Sequence, residues 1–426
     1  MQQSPSGAPT VRVASMAAAG AAIEWYDFFL YGTAAALVFP TLFFPADLPL
    51  FVKQIAAFGT FAFGFIARPI GGALFGHIGD LHGRKNALVI AMAIMGLAST
   101  AVGLLPSYDR IGVLAPLLLV VFRFLQGLAV GGQWGGAALL AMESGPAHRQ
   151  GFYGSFVQIG VPLGVVFANT VFLISSYVTD ASSFLAWGWR IGFVLSISLV
   201  FISLYMHRRV AEPVRQAAAE ESAPQGSPLW TVLRHHWRVL LLAGGAFIAN
   251  NVCFYIAIVY AVAYGTKTIG IDDKVLLSAV MIGSVAMVPV LIGTGAFSDR
   301  FGRRGIFMAG ALLAGIWAFA MFPLIDTKSP VLVVVAIMIE MLFLSFMYGP
   351  QAALFAELFP KSVRYSGASL GYQIGTVAGG GFAPIIATAL YAHYKSTTPI
   401  AIYLLAVCLI SLVCVAMLKP LAEAER

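Results

Sequence analysis

Twelve apolar segments, each about as long as a bilayer is thick, constrain this chain more than any other feature of its sequence. A helix needs about 20 mostly apolar residues to span the hydrocarbon core of a membrane. Only 10% of the residues are charged, whereas an average soluble domain has about 25%. The sequence therefore predicts an all-α integral membrane protein with twelve transmembrane helices. The segments cover 14–40, 52–78, 86–106, 112–141, 152–178, 188–207, 238–264, 275–297, 305–324, 331–356, 367–392 and 399–418.

The longest polar break, 208–237, divides six apolar segments from six. It carries several charges and a stretch rich in proline, serine and glycine. We therefore predict two six-helix halves joined by a linker. The predicted units are a tail at 1–13, a first half at 14–207, the linker at 208–237, a second half at 238–418 and a tail at 419–426.

The two halves share short motifs at nearly constant offset. Asp80–Lys85, with the pattern D-x-x-G-R-K, follows the second segment, and Asp299–Arg304 follows the eighth. Ser155–Gly160 recurs loosely as Leu370–Gly375. These repeats indicate a duplicated six-helix unit, an organisation in which secondary transporters place their site between the halves near mid-membrane.

The placement of Lys and Arg predicts the orientation of the chain. Cytoplasmic loops carry an excess of these residues. If both termini are cytoplasmic, most of the Lys and Arg residues fall in the tails and in the loops of that side. The residues left for the outer side are Lys53, Arg110, Arg190, Lys267, Lys274, Lys328 and Lys395, and two more, Arg68 and Arg123, lie inside segments.

Five ionisable residues, Glu24, Asp27, Arg68, Arg123 and Glu340, lie about mid-way along apolar segments. A charge at that depth costs about 2.5–3.5 kcal/mol on insertion scales, so it usually faces a polar cavity and acts on a permeating species. A buried acid is able to take up and release a proton, and a guanidinium is able to bind a carboxylate. The pattern predicts a proton-coupled carrier of a small organic anion. The alternative is that the arginines neutralise the acids and only hold helices together.

Further polar and aromatic residues inside the segments are candidates to line a substrate pocket. Amide side chains supply both donors and acceptors, which suits hydroxylated or carboxylated compounds. Each of them is also able to serve as a bond between helices. Besides Arg123 and Arg68, these candidates are Tyr31, Gln126, Gln133, Trp134, Gln158, Asn250, Asn251, Tyr255, Gln351 and Gln373.

The repeated D-x-x-G-R-K loops predict a gate at the cytoplasmic face. Their glycines permit a tight turn, and the acid is able to pair with basic groups on a neighbouring helix end. Such a contact would hold one conformation shut. The candidate gate residues are Gly76, Asp80, Gly83, Arg84, Glu143, Arg149, Asp299, Arg303, Glu357 and Arg364.

Glycine pairs four residues apart, such as Gly72/Gly76 and Gly127/Gly131, recur in the apolar segments. Small residues at that spacing let helix backbones approach closely in lipid. The pairs fit either static packing or a sliding interface.

Several chemistries lack their sequence signals. The chain has no G-x-x-x-x-G-K-[ST] phosphate loop, no HExxH motif and no Cys/His metal cluster. The three cysteines lie in apolar segments and imply no disulfide framework. We therefore expect that the protein is not an enzyme, that it needs no cofactor and that a proton gradient drives it. We further expect a monomer that contacts membrane lipid and has no nucleic-acid partner.

With these motifs in view, the chain resembles the major facilitator superfamily and, within it, the metabolite:proton symporters, most of all the bacterial shikimate permeases. The resemblance rests on 76–85 (GHIGDLHGRK), 123–127 (RFLQG), 24–28 (EWYDF), 65–72 (FIARPIGG), 131–136 (GGQWGG), 187–190 (WGWR) and 364–368 (RYSGA). It implies twelve helices around a central cavity, in the bacterial inner membrane. It also marks Asp27, Arg68, Asp80, Arg84 and Arg123 as functional positions.

The resemblance implies proton symport of a small organic anion, such as shikimate or another hydroxylated or aromatic-ring carboxylate, by alternating access. Gln133 stands where relatives commonly have an acid, which shifts the coupling role toward Glu24 and Asp27. Alternatives that stay open are a symporter of di- or tricarboxylates or of 2-oxoglutarate, and a proton-antiport exporter. From another class, a membrane-embedded enzyme or a non-transporting sensor is disfavoured.

Overall fold

The computed structural model describes residues 21–22, 25–82, 84–131, 138, 141–142, 145–209, 228–360 and 363–419. These ranges are helical almost throughout and contain no strand. Each of the twelve predicted segments overlaps a helix within the described residues, which confirms the predicted fold class. The linker and both tails lie largely outside the described residues, so the predicted unit boundaries stay a prediction.

The membrane helices are labelled α1 to α12 in chain order. Their bounds are 25–37 (α1), Leu50–His82 (α2), Arg84–Leu104 (α3), Leu114–Val130 (α4), Gln150–Val178 (α5), Ala181–Phe201 (α6), Trp237–Ile269 (α7), Asp273–Phe301 (α8), Arg303–Asp326 (α9), Pro330–Glu357 (α10), Arg364–Tyr394 (α11) and Thr398–Met417 (α12). Within the described ranges, α2 and α5 to α12 are long and apolar enough to cross a membrane. The apolar parts of α3 and α4, Val89–Leu104 and Leu114–Val130, are shorter.

The cores of the two halves are joined by two helix contacts that repeat each other. α5 of the first half packs along α8 of the second, and α11 of the second packs against α2 of the first. Because α2 and α8 hold equivalent places in the two halves, as do α5 and α11, these contacts are the same interface formed twice. A duplicated unit predicts this arrangement.

α7 lies at the centre of the molecule and α12 at its edge. In the most apolar stretch of α7, 94% of the residues are buried, against 39% in α12. α7 also contains two π-helical turns, Ile256–Tyr260 and Tyr264–Ile269. Turns of this kind often occur at functional sites, because the extra residue re-aims the side chains around it.

Hydrogen bonds at the start of α6 hold an exposed acid in its charged form. Asp180 precedes the helix and accepts bonds from the Ser182 hydroxyl and from the backbone amides of Ser182 and Ser183. These bonds, the Ser182 hydroxyl first, hold the pKa of Asp180 well below its usual range. The cap satisfies amide groups that would otherwise lack a partner at the helix start.

Glycines bring the backbones of α2 and α4 into direct contact. A Cβ on Gly127 would lie 2.1 Å from the carbonyl oxygen of Gly64, and one on Gly131 would lie 1.9 Å from that of Arg68. A side chain does not fit at either position without separating the helices. This close approach brings the two helices that carry Arg68 and Arg123 together.

Gly127→Ala should therefore lower the stability of the protein by about 1–3 kcal/mol, because the added methyl group forces α2 and α4 apart. The midpoint of thermal unfolding in detergent measures the loss. Gly59→Ala is the matched control, since Gly59 lies in α2, the helix that packs against α4, and no atom lies within 4 Å of its added Cβ. Equal midpoints for the two variants would contradict this account of the α2–α4 interface.

Candidate functional site

Aromatic rings surround the guanidinium of Arg123 in the first half. Its Cζ lies 3.8 Å from the ring centre of Phe28, 4.5 Å from that of Tyr31 and 4.6 Å from that of Phe61. Arg123 is fully buried. Faces of aromatic rings attract a cation, and more strongly where water is excluded. These rings allow a charged arginine to remain inside the membrane.

A line of hydrogen bonds leads from Arg123 toward Asp27. Nη1 of Arg123 donates to Oε1 of Gln126 at 3.1 Å, and Nε2 of Gln126 donates to the Ser99 hydroxyl at 2.7 Å. The Ser99 side chain in turn faces the carboxyl group of Asp27. Ser196 of α6 donates its hydroxyl to Oδ1 of Asp27, and Oδ2 accepts no hydrogen bond from the described residues. Asp27 is thus connected to Arg123 through neutral groups.

This arrangement differs from the alternative in which the arginines neutralise the acids. Asp27 forms no ion pair with either arginine among the described residues; its bonded partner is the Ser196 hydroxyl. Arg123 uses Nη1 on Gln126 and leaves Nη2 without a partner. Oδ2 of Asp27 and Nη2 of Arg123 therefore each remain able to form a further hydrogen bond.

Arg68 is buried beside the same rings with no hydrogen-bond partner at all in the described part of the chain. Its Nε, Nη1 and Nη2 are unpaired, and its side chain is fully buried. Its Cζ lies 5.1 Å from the ring centre of Trp25 and 5.6 Å from those of Phe28 and Tyr372. Since Tyr372 belongs to α11, Arg68 lies where the two halves meet.

A small cavity of about 20 Å³ lies next to Arg68, between the halves. Trp25 and Tyr372, which contact Arg68, line it together with Asn250 and Tyr348. The Nδ2 of Asn250 has no hydrogen-bond partner among the described residues. A space of this volume holds about one water molecule. In this conformation the centre of the protein is therefore closed around a polar space.

Glu340 lies apart from the arginines, in a separate buried cluster of the second half. Both of its carboxyl oxygens lack hydrogen-bond partners among the described residues. The thiol of Cys253 on α7 faces Glu340, and its sulfur lies 3.6 Å from that of Cys408 on α12. Glu340 has no charged partner among the residues that the structure describes, and its proposed role in proton coupling stays a prediction.

Three glutamines predicted to bind substrate form bonds between the halves. Nε2 of Gln158 donates to Oε1 of Gln351 at 3.1 Å and to the carbonyl oxygen of Tyr348 at 3.2 Å. Nε2 of Gln373 donates to the carbonyl oxygen of Gly131 at 2.9 Å. In this conformation these glutamines fasten the halves together.

The other predicted pocket residues take different positions. Tyr31 donates its hydroxyl to Thr60 at 2.9 Å, and Asn251 donates to the carbonyl oxygen of Phe247 at 3.1 Å. Tyr255 and Asn251 line the central cavity. Glu24, Gln133 and Trp134 lie outside the described residues.

Asp299 joins three helices at one membrane face, which we name the Asp299 face. Its carboxylate accepts bonds from the backbone amides of Gly151, at 2.8 Å, and Phe152, at 3.0 Å, at the start of α5. It also pairs with Arg303 of α9 at 3.2 Å, and Arg303 pairs with Glu357 at the end of α10. An acid at a helix N-terminus is stabilised by the amides and the helix dipole. The sequence predicted an acid–base contact here, but nothing in it indicated the two amide bonds.

The remaining gate candidates are described less fully. Arg149 is exposed, and Nε of Arg364 donates to the carbonyl oxygen of Phe359 at 3.4 Å. Gly83 and Glu143 lie outside the described residues. For Gly76, Asp80 and Arg84 the helical backbone alone is described, so the first copy of the motif stays a prediction.

Sequence reasoning missed several residues of the site. Ser99 and Ser196 are single serines in apolar helices, which carry no distinguishing signal. Tyr372 adjoins the predicted Gln373, and both Trp25 and Phe28 belong to the 24–28 motif, whose acids alone were proposed as functional. Apart from Tyr31, the aromatic rings that hold the arginines were therefore visible in the sequence but had no assigned role.

Two similar helical halves around a closed polar space at mid-membrane are the architecture of a secondary transporter. The sequence model of the Major Facilitator Superfamily matches residues 28–373 and 294–426. The inner membrane metabolite transport protein YhjE of Escherichia coli (strain K12) is 41% identical over 384 residues, which cover 88% of this chain and 86% of that protein. The chain therefore belongs to the Major Facilitator Superfamily.

Other relatives agree with this placement. The shikimate transporter of Escherichia coli (strain K12) is 39% identical over 415 residues, 94% of this chain and 92% of that protein. The crystal structure of a D-xylose–proton symporter superposes with a TM-score of 0.76 over 99% of both chains, at 20% identity, and so shows the same fold. These proteins are transporters and not enzymes, which confirms the prediction that this chain is a transporter and not an enzyme.

Asp299→Asn should weaken the closed Asp299 face, because a neutral amide loses the charge that attracts Arg303 and the α5 amides. A cysteine placed at the buried Ser155, in a variant without the native cysteines, should then react with a maleimide several times faster. Asp47→Asn is the control, since Asp47 is exposed in the loop before α2 and makes no ion pair among the described residues. Equal labelling rates in the two variants would refute the proposed role of Asp299.

Proposed function

We propose that this protein imports a small organic anion into a bacterial cell by proton symport, through alternating access of its two halves. In this proposal it lies in the inner membrane with both termini in the cytoplasm. It works as a monomer without a cofactor, and the proton gradient drives it. The Asp299 face is then the cytoplasmic face.

The unpartnered guanidinium of Arg68 supports the anion site most directly. A fixed charge in a low-dielectric interior is costly unless a partner of opposite charge is near. Arg123 lies close enough to Arg68 to repel it, since both guanidinium groups contact the ring of Phe28. Two buried cations beside a polar cavity favour an anionic ligand. The planar fork of Arg68 suits a carboxylate, with which it forms two parallel bonds.

The aromatic rings around Arg68 favour a ring-shaped carboxylate. Trp25 and Tyr372 offer flat faces, while Asn250 and Asn251 offer polar groups for hydroxyls. The 39% identity to a shikimate transporter supports the same class of substrate. Di- and tricarboxylates and 2-oxoglutarate are the alternatives within symport.

The central cavity is too small for such a compound, which supports alternating access. A volume of about 20 Å³ must grow several-fold before an organic acid fits. Because the glutamine bonds and the Asp299 contacts join the halves, separating the halves at one face breaks them and enlarges the cavity.

Asp27 is the proposed proton carrier. Its Oδ2 is free of hydrogen bonds from the described residues, and its other neighbours connect it to Arg123. A carboxylate that accepts a proton gives up its attraction for nearby cations, so Arg123 becomes freer to join Arg68 on the anion. Proton and anion binding would thereby assist each other. Glu24 and Glu340 are further proposed sites for the proton.

Uptake into proteoliposomes tests the proposal. With an inward proton gradient, purified protein should accumulate at least one member of a labelled panel of the anions shikimate, 2-oxoglutarate and citrate, with zwitterionic proline as the comparison, and a protonophore should abolish the accumulation. If folded protein accumulates none of them, import of this substrate class is wrong. Accumulation under the opposite gradient would instead indicate a proton-antiport exporter.

Asp27→Asn should abolish accumulation above equilibrium, because the amide does not take up or release a proton. Exchange of labelled for unlabelled substrate should continue. The two assays, run on one preparation, separate coupling from binding. Asp47→Asn serves as the control and should behave like the parent. Accumulation by Asp27→Asn at the parental level would remove Asp27 from the coupling mechanism.

Arg68→Lys should weaken substrate binding by roughly 10- to 100-fold, the effect of losing a hydrogen bond to a charged group. The lysine keeps the charge but loses the planar fork. Equilibrium binding of the transported compound measures the change. An affinity equal to that of the parent would show that Arg68 is structural.

A further inference from the structure

A cavity larger than the central one lies away from the central site, at the membrane face opposite the Asp299 face. Its volume is about 220 Å³, against about 20 Å³ at the centre. The start of α2 and the ends of α7 and α11 enclose it. We name it the Lys395 cavity after the lysine on its rim. On the predicted orientation it opens to the outside.

Two polar side chains that line the Lys395 cavity have no hydrogen-bond partner among the described residues. Gln54 is 7% exposed, lines the cavity, and makes no side-chain hydrogen bond within the described part of the chain. Tyr260 is 3% exposed, also lines the cavity, and its hydroxyl has no partner there either. A buried hydroxyl without a partner is costly, so that of Tyr260, with the Gln54 side chain on the same cavity, indicates a polar ligand.

Aromatic rings form one wall of the cavity. The rings of Tyr260 and Tyr264 stack with centres 6.0 Å apart, and Tyr391 meets Tyr264 edge-on at 5.1 Å. The Tyr264 hydroxyl donates to Asp326 at 2.7 Å, so that acid already has a partner. Flat faces of this kind suit a ring-shaped ligand.

The charge at the rim of the cavity is positive. Lys395 is exposed and ends α11 in the left-handed backbone conformation, with φ of 52°. A residue other than glycine rarely adopts that conformation. Together with the amide and the free hydroxyl, the lysine provides a cation, hydrogen-bonding groups and ring faces around one space.

We propose that the Lys395 cavity is a second binding site for the transported organic anion, which holds a ring carboxylate before it moves to the central site. Lys395 faces the carboxylate, Gln54 and Tyr260 bind its polar substituents, and the tyrosine rings contact its ring. The cavity adjoins the central site along α7, because Tyr260 follows Tyr255 by one π-helical turn. This inference rests on the proposed function.

The test is equilibrium binding of the labelled panel compound that the parent accumulates, tried first with shikimate, to protein in lipid nanodiscs. The parent should bind more than one molecule per protein, in a tight and a weak class. Lys395→Gln and Tyr260→Phe should each weaken the weak class by roughly tenfold or more and leave the tight class unchanged. Arg68→Lys should weaken the tight class alone. Lys53→Gln is the matched control, a lysine of the same face that does not line the cavity.

A single bound molecule in a parent that accumulates the compound would overturn the second site and leave the proposed function standing. Binding curves of Lys395→Gln and Tyr260→Phe that match that of Lys53→Gln would overturn it as well. Failure of the parent to accumulate any member of the panel would overturn both proposals. Lys395 is exposed and Tyr260→Phe keeps the ring, so neither variant threatens the fold.

Discussion

The burial of two arginines inside the membrane is the constraint on which the rest of this structure depends. Arg68 and Arg123 remain charged at any depth, and the protein offers them mostly ring faces in place of acids. The glycines that bring α2 against α4 allow both side chains to reach one ring, that of Phe28. In the proposed function, the unpartnered guanidinium of Arg68 would provide binding energy for an anion.

The duplicated architecture explains how such a site can open to either side. The α5–α8 and α2–α11 contacts are one interface formed twice, so the halves meet through two similar surfaces. At one end of these surfaces Asp299 joins α5, α8 and α9. Near the other end the Lys395 cavity lies between the start of α2 and the ends of α7 and α11. In the proposed alternating access, a small rotation of the halves would exchange packing at one face for packing at the other.

Much of the fold was predictable from the sequence, because lipid demands long apolar helices and these are easily counted. The buried charges were equally visible, since a charge in an apolar segment is rare. The hydrogen-bond partners of these charges were not visible in the sequence. Ser196 and Ser99 look like any other helix serine, and whether Gln158 binds substrate or Gln351 depends on how two distant helices meet. The aromatic surroundings of Arg68 come from α1 and α11, so neither helix alone shows the complete set of rings.

In the proposed mechanism, binding of the anion at Arg68 and Arg123 strengthens binding of the proton at Asp27, and binding of the proton strengthens binding of the anion. Proton uptake on substrate binding tests it most directly. The transported anion is added to protein in weakly buffered solution with a pH indicator. The account predicts that the parent takes up protons and that Asp27→Asn, at saturating anion, takes up none. Equal proton uptake by both proteins would contradict it.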